Sequence, residues 1–194
     1  MSGHHRSGGR LAGWTTLQFF ARNFAVVAPL CPAVAAARFA QGGFGKLDWP
    51  AVIALEVLVE LGRVALAVLA IGSGDIRRGI AAIRRFFTMD DAEREQRYAA
   101  AKTRLRQQWR SLGLDLLVFL SAAVAPNFLI AYLADSTCAS DTLARVAPSA
   151  PRVSLVLLIK NLSVIPLTIA FQIHLAARLW LEPSERHEWL QRRT

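Results

Sequence analysis

The sequence predicts an all-α integral membrane protein: a helical bundle of four transmembrane helices, with an amphipathic interfacial helix and a cytoplasmic extension of the third span. Three observations predict it. Hydrophobic residues make up 54% of the 194 and charged residues only 19%, and the mean hydropathy is +0.33, which together exclude a disordered chain. The apolar residues fall into four runs, each close to the ~20 residues that a helix needs to cross a bilayer. The net charge of +9 is concentrated between two of those runs. Two cysteines exclude a disulfide scaffold.

Residues 1–16 read as a cytoplasmic N-terminal segment. The first span runs from about Leu17 to Ala37. Arg22 sits near its start, where it can snorkel to headgroups, and Pro29 and Pro32 should kink it. A rival reading makes this stretch a signal peptide: Arg6 and Arg10, an apolar run from Phe24, then Ala33, Ala35 and Ala37 resembling a cleavage site. Its polar leading region would be unusually long at about 23 residues. The second span runs from about Trp49 to Ile71. Asp48-Trp49-Pro50 suits a helix start, because proline is favoured in the first turn and tryptophan at interfaces. Gly72-Ser73-Gly74 ends it. The third span covers 112–134, with Asp115 near its start and Pro126-Asn127 inside. The fourth covers 153–179 and holds Lys160, Asn161, Pro166 and His174. Ser121 and Ala125 are spaced for close helix approach.

Orientation follows from the basic residues. Residues 75–111 hold ten Arg and Lys, whereas the 38–48 loop holds Arg38 and Lys46 and the 135–152 loop holds Arg145 and Arg152. The positive-inside rule places 75–111 in the cytoplasm, and an even number of spans puts both termini there. The tail 181–194, with Trp189 and Leu190 as its apolar residues, is then cytoplasmic too. Arg outnumbers Lys twenty to three, which is compatible with a GC-rich bacterial gene and an inner-membrane location.

Within the cytoplasmic segment, Ile76, Ile80, Ile83 and Phe87 are spaced 4, 3 and 4 apart and form one helical stripe. Arg77, Arg78, Arg84 and Arg85 lie away from it. This is the pattern of a helix lying in the membrane interface, its arginines meeting anionic lipid headgroups. Packing of the same stripe on another subunit is the competing use. Nothing in the sequence resembles a nucleic-acid-binding fold. Thr88-Met89-Asp90-Asp91 reads as the start of a long helix over roughly 90–134, with Thr88 as cap and a carboxylate three residues on. Asp90–Arg94 and Glu93–Arg97 are acid-to-base pairs at i,i+4. Tyr98, Leu105 and Trp109 mark a thin apolar stripe on an otherwise charged face, suited to a partner, a second copy, or the 76–87 helix.

Ionisable residues inside apolar helices are costly and mark candidate sites. They are Glu56, Glu60 and Arg63 in the second span, Asp115 in the third, and Lys160, Asn161 and His174 in the fourth. At a rise of 1.5 Å per residue, Glu56 and Lys160 lie at equal depth, about 10 Å from the outer surface, and are expected to pair. Glu60 and Arg63 share a face and should pair directly. Asp115 and His174 share the inner side and could meet. Such near-neutral sets favour satisfied pairs that lock helices together over an open cation track.

Catalytic signatures are missing. Cys31 lies between two prolines without a neighbouring histidine, Cys138 lies in the outer loop, and His4, His5 and His187 lie near the termini. Neither a metal-ligand spacing nor a phosphate loop is present, so no metal and no cofactor is expected. A haem held by two histidines of one subunit would need a second one in a span. The leading expectation is a membrane accessory or interaction subunit, bound to anionic lipid and to other subunits or to itself, with no nucleic acid. The alternative is a small oligomeric channel or proton-coupled carrier. A third is an enzyme acting on lipid near Asp115, His174 and the arginines at 77–85.

Overall fold

The computed structural model describes residues 12–43, 47–137, 145, 150–181 and 185. Every described element is a helix: α1 (Ala12–Arg22), α2 (Phe24–Val27), α3 (Leu30–Gly43), α4 (Trp49–Ile71), α5 (Ile76–Thr88), α6 (Asp91–Thr137), α7 (Pro151–Leu162) and α8 (Val164–Trp180). Three stretches are long and apolar enough to cross a membrane: Phe24–Gly43, the apolar half of Asp91–Ala134, and Pro151–Trp180. The 23-residue α4 matches the expected second span in its bounds but is not one of these three. Glu56, Glu60 and Arg63 sit so centrally that any 18-residue stretch of it contains all three.

The α1–α3 segment and the α7–α8 segment run antiparallel through the middle of the bundle. Gly42 meets Ser154 at one end and Thr16 meets His174 at the other. Helix α4 packs on α3 and α8, and α6 packs on the opposite side against α7, α8 and α1. The core joins Phe19 and Val27 to Leu66, Leu69 and Ala70 of α4 and Ala170 of α8. A smaller cluster of Val34, Ala37 and Val59 continues it between α3 and α4. Helix α6 contributes little: only 6% of its apolar window is buried. Its seam is thin, with Leu112 and Ile130 buried and Phe119 stacked on Phe171 at 3.9 Å between ring centroids.

Several boundaries differ from expectation, for local reasons. The first apolar stretch is interrupted at Asn23 and again before Leu30. Pro32 is the third residue of α3, where its missing N–H costs no intrahelical bond, so it does not kink the helix interior. The fourth span is two helices, broken at Ser163 (φ −126°, ψ −71°). Pro166 is again the third residue of the following helix, so the chain restarts at the proline instead of bending there. Pro126 lies inside α6, and Asn127 Nδ2 donates to the Ala123 carbonyl at 2.8 Å beside it. The long helix is capped by Asp90 and not by Thr88: the Glu93 N–H donates to Asp90 Oδ1 at 2.6 Å. Thr88 is the last residue of α5, and its hydroxyl donates to the Arg84 carbonyl at 3.0 Å. Arg94 pairs with Asp91 at 2.9 Å in place of Asp90, while Glu93–Arg97 forms at 3.0 Å.

A turn at 72–75 folds α5 back on the end of α4. The Asp75 carboxylate caps α5, accepting from the backbone N–H of Arg77 at 2.8 Å and of Arg78 at 3.3 Å. Gly79 permits the approach, since a Cβ there would fall 2.1 Å from the Val68 carbonyl oxygen. The signal-peptide reading draws on Arg6 and Arg10, and the expected 1–16 segment lies mostly before residue 12. Most of the 135–152 loop with Cys138, and most of the tail with His187, Trp189 and Leu190, also lie outside the described residues, as do His4 and His5.

Candidate functional site

The charged residues of α4 form a belt with α3. Arg38 reaches across and holds Glu56 through both guanidinium nitrogens, at 2.7 and 2.8 Å. Gln41 Nε2 adds a bond to the same carboxylate at 3.1 Å. Glu60 binds Arg63 at 2.5 Å and lies 3.6 Å from Arg38. Glu60–Arg63 is the pair the sequence predicts. The expected Glu56–Lys160 pair is replaced by Glu56–Arg38, because α4 folds directly onto α3 as a hairpin and Arg38 falls opposite Glu56. Lys160 is half-buried on α7. The belt balances two acids with two bases, yet it is not enclosed: the Glu56 and Glu60 side chains are 49% and 52% exposed. Around them Ile53, Val57, Leu61 and Val64 form an exposed apolar stripe.

A second polar group joins α1, α6 and α8. Asp115 is buried and takes Arg178 of α8 as its ion-pair partner. Arg178 also reaches the Ser111 hydroxyl at 3.4 Å. His174 is 1% exposed and its Nδ1 shares a hydrogen bond with Thr16 Oγ1 at 2.9 Å. Asp115 and His174, expected to seek each other, thus each have a further partner that the sequence reading did not name. Beside them runs a cleft of about 340 Å³ between α1, α6 and the α7–α8 break, with Thr16 and Asp115 towards one end and Pro126 and Ser163 towards the other. Its walls are otherwise apolar.

The third group ties the far end of α6 to the C-terminal end of α8. Arg104 Nη1 donates to the carbonyls of Leu179 and Leu181, at 2.9 and 2.8 Å, satisfying carbonyls that the helix end leaves open. Arg97 forks onto Glu185 at 3.0 and 2.9 Å. These hydrogen bonds to Glu185 push the Arg97 pKa above its usual value. All four arginines of α5 are exposed. Two of them already face carboxylates: Arg78 lies 3.3 Å from Asp75, and Arg85 lies 3.7 Å from Glu93 and 3.8 Å from Glu185. Ile76, Ile80 and Phe87 are exposed on the same helix. Tyr98, Leu105 and Trp109 are exposed on α6, with the Arg110 guanidinium 5.5 Å from the Trp109 ring centre.

No known family model matches this sequence, and neither a curated protein nor a solved structure shows significant similarity to it. Function therefore rests on the chain's own geometry. Among the described residues no group of three or more His, Cys, Asp and Glu side chains could hold a metal ion.

The residues that sequence reading missed are all partners: Arg38 and Gln41 for Glu56, Arg178 for Asp115, Thr16 for His174. Arg38 was legible in principle. In a hairpin whose turn centres near residue 47, positions 38 and 56 stand opposite each other. Arg178 stands at the end of the fourth apolar run, where a basic residue is ordinary, and its long side chain lets it reach back to Asp115.

Proposed function

We propose that this protein is a four-span integral-membrane interaction subunit of a larger assembly, with both termini in the cytoplasm of a bacterial cell. The observation that carries the reading is the half-exposed charged belt Arg38–Glu56–Glu60–Arg63, set in the middle of an apolar helix surface. A charged side chain in the bilayer core costs about 2.5–3.5 kcal/mol on insertion scales. Helix α4 lies against α3 and α8 and so shares whatever slab they occupy. Left facing lipid, the belt keeps that cost; covered by a polar transmembrane helix of a partner or of a second copy, it exchanges lipid for hydrogen bonds. The sparsely buried α6 supports the same reading, as does the exposed Tyr98, Leu105 and Trp109 stripe on its basic half. Helix α5 then lies in the interface, with Arg77 and Arg84 turned to anionic headgroups.

The test is purification at native expression in mild detergent, with particle mass and mass spectrometry of co-eluting chains. A stoichiometric partner or a stable homo-oligomer is expected, weakened at least tenfold by Glu60→Gln with Arg63→Gln. A monomer whose behaviour is unchanged by those substitutions would overturn the reading.

A second reading, a small oligomeric channel or ion-coupled carrier, is favoured by one observation: the α7–α8 break faces the cleft that contains Asp115. Interrupted membrane helices are a recurrent way of building ion and substrate sites. It expects ion flux in liposomes that Glu60→Gln abolishes without unfolding the bundle. An enzyme acting on lipid draws less support, because both Asp115 and His174 are buried and a headgroup would have to open the bundle to reach them.

A further inference from the structure

Between α3, α4 and the α7–α8 segment lies a small, half-open pocket of about 20 Å³, lined mainly by apolar side chains such as Leu30, Leu66 and Ile169. Two polar residues interrupt that wall, Arg63 and Asn161. Asn161 is 1% exposed, and its Nδ2 donates to the Leu157 carbonyl at 2.8 Å. Only the amide nitrogen can make that bond, so the orientation of the amide is fixed and Oδ1 points elsewhere. Oδ1 is buried and has no hydrogen-bond partner among the described residues. Arg63 uses Nη1 on Glu60, and its Nε–H is likewise buried and unpartnered. One orphan is an acceptor and the other a donor, on two residues that line the same pocket, and they do not bond each other.

We infer that this pocket is a binding site for a single structural water, which accepts from Arg63 Nε–H and donates to Asn161 Oδ1. The size suits water: the pocket holds about 20 Å³, against the roughly 10–15 Å³ that one molecule needs. The chemistry also selects water. A cation is opposed by the guanidinium and an anion by the amide oxygen, whereas water offers both the donor and the acceptor that the two groups lack. The site lies two residues before Ser163, and Pro166 also lines it. The water therefore ties the exposed charges of α4, through Arg63, to the interruption in the last apolar segment. It is a positioning element that holds α4 against that break.

The experiment is a structure of the full chain at a resolution that shows ordered water, together with a thermal double-mutant cycle. Density for one water at 2.7–3.2 Å from both atoms is expected. Arg63→Lys keeps the charge facing Glu60 but removes Nε–H, and Asn161→Leu removes the acceptor and fills the space. Each should lower the melting temperature, and the double variant should lower it by clearly less than the sum. Strictly additive shifts, or a pocket without water density between the two atoms in the unaltered protein, would overturn the inference. The density measurement needs no variant, so it decides the matter even if Asn161→Leu fails to fold.

Discussion

Two ion pairs in this protein use the same chemistry in opposite surroundings, and burial decides what each contributes. The Asp115 carboxylate is fully enclosed and Arg178 nearly so. Removing the arginine strips a buried charge of its counter-ion, a change that costs about 3–5 kcal/mol in comparable sites. Arg38–Glu56 is half-open on the Glu56 side, and Gln41 also bonds that carboxylate, so in detergent, where water reaches the surface, losing the arginine leaves Glu56 with partners that the enclosed Asp115 cannot recruit from solvent. Arg178→Ala is therefore expected to destabilise the purified protein severely, and Arg38→Ala only slightly, when both are measured by denaturant unfolding in detergent. Equal losses would show that enclosure is not what separates them. The comparison also tests the role assigned to each: a pair that adds little to the isolated chain, yet is needed for co-purification of a partner, belongs to an interface. The sequence made Glu56, Glu60 and Asp115 visible as anomalies in apolar helices. It showed Arg63 as the partner of Glu60, but hid those of Glu56 and Asp115, because Arg38 and Arg178 stand near span ends, where basic residues are ordinary.

At the level of elements, what was legible was what periodicity and composition control. The bounds of α4 and α5 and the single long helix through 91–134 follow from apolar runs, stripe spacing and the lack of a breaker. What was not legible was where helices break. Prolines invite the expectation of an interior kink, but a helix can instead restart two residues ahead of the proline, and α3 and α8 both do so. Which outcome prevails depends on packing around the breaks at Pro29 and Ser163, which a one-dimensional pattern does not contain. Glycines show the same dependence. Gly113 is in the middle of α6 with nothing within 4 Å of an added Cβ, whereas at Gly79 the Val68 carbonyl blocks it. Gly113→Ala should stabilise the helix by about 0.5–1 kcal/mol, from the backbone entropy that glycine loses on folding. Gly79→Ala should cost about 1–3 kcal/mol, because backbone atoms cannot move aside as a flexible side chain would. Thermal unfolding of the two variants reads the contrast directly, and a gain at Gly79 would mean that α5 is not seated on α4.

For the whole molecule, the proposed four-span topology rests on placing α4 in the bilayer beside its neighbours. Three apolar stretches alone would leave α4 outside the bilayer. But α4 carries half of the main core, and its register against α3 is set by Val34, Ala37 and Val59. Pulling it out of the slab would unpack both clusters. With α4 inside, α5 and the start of α7 must lie on opposite sides, since α5 follows the α4 end near Gly72 while Ser154 of α7 sits beside Gly42. Single cysteines at Arg84 and Val153, in a background with Cys31→Ala and Cys138→Ser, separate the alternatives. Both native residues are exposed, so neither substitution disturbs the core. In intact right-side-out cells a membrane-impermeant maleimide should label Val153→Cys and spare Arg84→Cys, and in inverted vesicles the pattern should reverse. Labelling of both from one face would mean that α4 does not cross, and the charged belt would then be an aqueous surface with no need of a partner helix.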